Sequence, residues 1–147
     1  MKKDFIKNDR RLELNLPEGY LTKSYFNTKG NILEEYITTW AEEIAQKLGQ
    51  GFPDMKKHQL RRFYNHVKLL ERKLDLTGNY DAINKDLKML IPYAVNASNA
   101  NPPKVPKLFE EFIKKNLGAV GDPKTFRAFL DHFQAIVGFS ERYLKKN

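Results

Sequence analysis

Four cations, Lys57, Arg61, Lys68 and Arg72, are spaced so that an α-helix turns them onto one side of the chain. At about 100° per residue they share an arc of about 60°, and the apolar positions of the same segment lie roughly 60–140° away. A helix that buries its apolar side would present these residues as a ridge roughly 22 Å long. Such a ridge suits a phosphate backbone, because guanidinium groups fork onto phosphate oxygens and lysine adds point charge. Asn65 and Tyr64 border it. It holds no fixed set of base-reading groups, which predicts little sequence preference. An ordinary solvated helix face can look the same, so the ridge alone leaves both readings open.

Other chemistry has weaker support. No Gly-x-Gly-x-x-Gly and no Gly-Lys-Ser/Thr is present, so a phosphate loop is excluded. None of His58, His66 and His132 has a second histidine three or four residues on, so no metal site is expected, and helical histidines of this kind belong at a surface or interface. Ser24, Ser98 and Ser140 have no nucleophile motif around them. The carboxylates mostly sit beside basic residues, which reads as a solvated or partner-facing surface. The expectation is a protein with no catalytic residues and no cofactor.

The elements that would carry the ridge follow from periodicity. Residues 1–30 show turn signals (Pro17-Glu18-Gly19, Lys29-Gly30-Asn31) and no sustained period, which predicts an irregular N-terminal arm that orders against the bundle or a partner. Residues 31–147 read as one helical domain. A first helix runs from Leu33 to Leu48 with Asn31 as N-cap, and a second from about Met55 to Leu74 with Asp54 as N-cap. A third starts near Asn79 and is interrupted at Pro92, which can neither donate its amide nor clear the carbonyl of Lys88. Residues 96–106 read as a loop. A fourth helix covers about Pro106 to Leu117, and a fifth runs from about Pro123 to Lys145 with a wide phenylalanine-rich stripe. The fold class is therefore all-α, a single-domain bundle of five to six helices. Phe63, Phe126, Phe129 and Phe133 read as core rings, whereas Tyr64, beside the cations, is the more open case.

Charge strengthens the nucleic-acid reading. The chain has 147 residues, 41% of them hydrophobic, with net charge +8 and a pI near 9.6. Basic balance of that size points toward a polyanion. Half of it falls in residues 52–75, which carry +4, while residues 31–50, with Glu34, Glu35, Glu42 and Glu43, carry −3. Absence of cysteine excludes disulfides and thiolate metal sites and fits a cytoplasmic protein. The sequence Met1-Lys2-Lys3-Asp4-Phe5 lacks the apolar segment of a secretory signal, and no apolar run approaches the roughly 20 residues that span a bilayer, so no membrane partner is expected.

The run Gln59-Leu60-Arg61-Arg62-Phe63-Tyr64-Asn65-His66-Val67-Lys68 resembles the central motif of the small subunit of type III-A (Csm) CRISPR effector complexes. Gly19-Tyr20, Tyr25-Phe26 and Gly30-Asn31 are similar to that family's opening segment. Leu87-Lys88 leading to Pro92-Tyr93-Ala94 is similar to its middle helix. Phe126-Arg127-Ala128-Phe129-Leu130 and Phe133-Gln134-Ala135-Ile136-Val137 are similar to its last helix. The resemblance implies a non-catalytic, cytoplasmic helical bundle of antiviral defence. Its copies would stack along guide RNA and target RNA beside the backbone and large subunits, which hold the nuclease and cyclic-nucleotide activities. Val95 to Asn99 stand where many relatives carry a basic residue, which leaves open whether the third helix contacts RNA. Gly138 and Ser140 replace bulkier residues.

Ridge and motif together make Arg61 and Lys68 the leading RNA-binding candidates, followed by Lys57 and Arg72. Arg62 also matches the motif but lies about 80° off the ridge, where it suits a neighbouring subunit. The competing reading is a helical protein–protein scaffold or adaptor without direct RNA contact. In that reading the acidic first helix of one copy meets the basic second helix of the next, which is self-association through opposite charge. A DNA-binding helical protein is a further alternative, decided by RNA-versus-DNA competition.

Overall fold

A computed structural model describes residues 14–147. The first thirteen residues of the predicted arm lie outside the described residues. A 3-10 turn at Glu34–Tyr36 leads into α1 (Thr39–Gln50), α2 (Lys57–Thr77), α3 (Asp81–Lys88), α4 (Leu90–Asn99), α5 (Lys107–Ala119) and α6 (Pro123–Tyr143). There is no strand among the described residues, only two isolated bridges, Phe26 with Ile32 and Lys56 with Lys145. The all-α bundle therefore stands, with six α-helices among the described residues.

The last helix is the post against which α1 and α2 pack, and α4 closes against α5. Its start is well specified. Pro123 occupies the first turn, where a missing amide costs little, and the Asp122 carboxylate accepts from Thr125 N at 2.8 Å. That hydrogen bond holds the Asp122 carboxyl below its usual range. Phe126, Phe129 and Phe133 are fully buried along the stripe, together with Phe109 and Phe112 of α5. Gly49 lets α1 approach α6, since a Cβ there would overlap the Tyr143 carbonyl oxygen. Gly78 ends α2 in the left-handed region, at φ +64, and its amide caps the Leu74 carbonyl at 2.7 Å.

Several boundaries differ from the periodic reading. The predicted first helix begins instead as the 3-10 turn, which places Tyr36 in the core against Tyr20, Tyr25 and Trp40. Asn31 is no N-cap, because the 3-10 turn starts after Leu33 and takes no side-chain cap, while the Asn31 amide closes a turn onto Asn27 Oδ1. Asp54 does not cap α2 but pairs with Lys56 at 2.8 Å, while the Gln59 side chain accepts from the Lys56 amide. The third helix breaks at Met89, three residues before Pro92. Restarting there puts Pro92 in the first turn of α4, where amides have no intrahelical acceptor. The predicted loop is correspondingly shorter, because α4 continues to Asn99.

A chain of buried polar groups fastens the segment before α1 to the bundle. His132 is fully buried on α6, against the expectation of a surface histidine. Its Nδ1 bonds the Tyr36 carbonyl, which can only accept, so Nδ1 carries the proton. Nε2 then accepts from the Tyr20 hydroxyl at 2.6 Å. Asn116 of α5 donates to Tyr20 Oη at 2.7 Å and accepts from the Tyr25 hydroxyl at 2.7 Å. Each group has its partner, which is the condition for burying a polar network without penalty. Burial pushes His132 down to a pKa of about 4.

Candidate nucleic-acid interface

The direction α2 faces is set by its buried side. Leu60, Val67, Leu70 and Leu74 are buried, the Phe63 ring meets Phe109 at 4.8 Å, and the Tyr64 ring meets Phe133 at 5.5 Å. Tyr64 is thus turned partly toward the core rather than standing open beside the cations. Arg61, Arg62, Asn65, Lys68, Leu69, Arg72 and Lys73 are exposed.

The cations of this face divide into two flanks. The flank beside α6 is tied down. Glu141 of α6 accepts from Arg61 at 2.8 Å and from Lys57 at 3.3 Å. These hydrogen bonds, Arg61's first, hold the Glu141 carboxyl below its usual range. Lys68 pairs with Glu71 at 2.8 Å, which raises the lysine's pKa. Arg127 of α6 reaches back to Asp75 at 2.8 Å and to Glu71 at 3.8 Å. Exposed pairs of this kind are worth about 0–1 kcal/mol each, so a phosphate can displace them.

The outer flank is different. Among the described residues Arg62, Arg72 and Lys73 form no ion pair. Within this flank, between Arg72 on one side and Arg62 and Lys73 on the other, stand Asn65 and two exposed leucines, Leu69 at 63% and Leu76 at 82%. Of the candidates read from sequence, Lys57, Arg61 and Lys68 come together with carboxylates, whereas Arg62 and Arg72 keep their charge open. Lys73 was missed, although its wheel position lies near that of Arg62. Glu141 and Arg127 were missed because their link to α2 is made only by the packing of α6.

The acidic surface is also partly used internally. Glu42 pairs with Arg142 at 3.5 Å and accepts from the Tyr143 hydroxyl, and Glu43 pairs with Lys47 at 2.7 Å. Glu34 and Glu35 are exposed. Among the described residues no cluster of three or more histidines and carboxylates could hold a metal ion, and no helix is long and apolar enough to cross a membrane.

Comparison with known proteins agrees with the resemblance seen in the motif. The family model described as Csm2 Type III-A matches residues 34–146. No curated protein and no solved structure matches the chain.

Proposed function

The chain belongs to the Csm2 Type III-A family, the small subunits of type III-A CRISPR effector complexes, and from that premise we propose that it is a non-catalytic RNA-binding subunit. It works in the cytoplasm, in antiviral defence. Its contacts are the phosphates of guide and target RNA, made without sequence preference beside the backbone and large subunits. Lys57, Arg61, Arg62, Lys68 and Arg72 carry the contact, and Lys73 joins them. The observation that supports this most directly is the outer flank of α2, where Arg62, Arg72 and Lys73 are exposed and free of ion pairs among the described residues.

The test is the salt dependence of binding to unrelated single-stranded RNAs of equal length. If about four phosphates are neutralised, log affinity against log salt has a slope of about −3. A slope near zero, or strong preference among the RNAs, overturns the reading.

A second reading draws on the other flank. Lys57, Arg61 and Lys68 already have carboxylate partners, which favours an adaptor whose charges organise protein contacts. An adaptor would bind the other effector subunits with no RNA present and show no RNA slope of its own.

A further inference from the structure

A groove of about 370 Å³ lies between α2 and α4, within the size range of small-molecule sites. Tyr93 of α4 lines it and is 51% exposed, large for an aromatic ring on a packed helix. Arg62 of α2 and Lys104 of the loop before α5 line the same groove, and neither forms an ion pair among the described residues. Asn96, three residues beyond Tyr93 and so on the same side of α4, adds an amide. The lining contains two cations and no carboxylate, which suits a polyanion better than a mixed-charge protein helix. His66 also lines the groove, and its Nε2 is buried with no hydrogen-bond partner.

We infer that this groove seats one unpaired base of the RNA strand whose phosphates α2 holds. The Tyr93 ring supplies the stacking face. Arg62 and Lys104 hold the flanking phosphates, and the Asn96 amide borders the same groove. Single-stranded RNA is recognised in this way, by splayed bases stacked on aromatic side chains inside a basic groove. Every base has a π-face, so stacking keeps the binding blind to sequence. The inference rests on the RNA-binding reading above, and it assigns α4 a contact that the sequence motif left open.

The experiment uses the full chain, a short single-stranded RNA carrying one 2-aminopurine, and the same sequence fully paired. Stacking on Tyr93 quenches the 2-aminopurine emission of the single strand. Tyr93→Ala removes the quench and weakens single-strand binding about 5- to 150-fold, the range for removal of one base–aromatic stack. Tyr93→Phe keeps both, and duplex affinity is the same in wild type and Tyr93→Ala. Single-strand binding by Tyr93→Ala with wild-type affinity and salt slope overturns the groove and leaves the RNA reading standing. An equal weakening on the duplex also overturns it, because paired bases cannot enter. Wild type is decisive even where a variant misfolds: RNA binding at saturation without any quench removes the proposal. Absence of salt-dependent RNA binding by wild type removes the RNA reading itself, and the groove with it.

Discussion

Arg61 of α2 and Glu141 of α6 meet at 2.8 Å, with Lys57 on the other oxygen of the same carboxylate at 3.3 Å. The two residues are eighty positions apart in the chain. Their pairing turns what reads as a bare cationic ridge into a ridge with an internal competitor. A phosphate would compete with Glu141 for the same guanidinium, and Arg61 and Glu141 are each at least half in solvent, where neither partner would win by much.

Glu141→Gln should therefore strengthen RNA binding. Releasing two cations from one solvent-exposed carboxylate is a small effect, so affinity rises by no more than about 5-fold. The melting temperature should barely change, since surface substitutions usually stay within about 0.5 kcal/mol. Filter binding at two salt concentrations checks it. An unchanged affinity means that Glu141 does not compete with phosphate for Arg61 and Lys57.

This pairing also marks where sequence reading stops. The helical period placed the buried side of α2 correctly, because Leu60, Val67, Leu70 and Leu74 repeat within one segment. Phe126, Phe129 and Phe133 were legible for the same reason. Glu141 was not, because nothing local shows which helix α6 will lie beside. His132 was not either. Its burial depends on Tyr20, Tyr36 and Asn116 arriving from three other segments to meet its ring and their own hydroxyls. Met89 displaced the expected break at Pro92 because a proline is harmless in a helix's first turn, an option that the period alone does not reveal.

Ridge and core substitutions should separate cleanly. Arg61→Ala and Lys68→Ala, each exposed, should weaken RNA binding while changing stability by no more than about 0.5 kcal/mol. Phe133→Ala empties a fully buried site and should cost about 3–5 kcal/mol. Arg62→Gln, Arg72→Gln and Lys73→Gln combined should flatten the salt slope by about 2, because each phosphate neutralised on a single strand adds about 0.7 to it. Thermal melts with binding curves on these variants provide the comparison. Ridge variants that melt like Phe133→Ala would show those residues to be structural.

Stability should fall between neutral and mildly acid pH. Burial lowers His132 from 6.5 to about 4, partly offset by its bond to the Tyr36 carbonyl. Between those values the unfolded chain binds a proton that the folded chain does not, so acid favours unfolding. Stability is full above about pH 6.5 and is lost at about 1.4 kcal/mol per pH unit, roughly 3 kcal/mol by pH 4. Asp54, Glu110, Asp122 and Glu141, whose pKa values are lowered, lose stability only near and below the unfolded carboxylate range, so the upper part of the window belongs to the histidine. Urea unfolding at pH 7 and pH 5 measures the slope. His132→Phe should be less stable at pH 7 and nearly flat over the same range, and a wild-type slope that survives this substitution would place the titration elsewhere.

Self-association should depend on Glu34 and Glu35 more than on the rest of the acidic segment. Both are exposed at the 3-10 turn, whereas Glu42 is engaged by Arg142 and Tyr143 and Glu43 by Lys47. Those α2 cations that RNA leaves unneutralised offer the opposite charge, with Leu69 and Leu76 exposed beside them. Screening limits exposed charge to about 8 Å at physiological salt, so charge alone would hold copies weakly, and cooperative assembly is expected only with RNA or the backbone subunits present. Sedimentation with a long RNA should show wild type loading several copies cooperatively. Glu34→Lys with Glu35→Lys should lose that cooperativity yet keep single-copy binding, since neither residue lies on α2. If the double variant assembles as cooperatively as wild type, the acidic turn is an ordinary solvated surface, and the contact between copies uses another face.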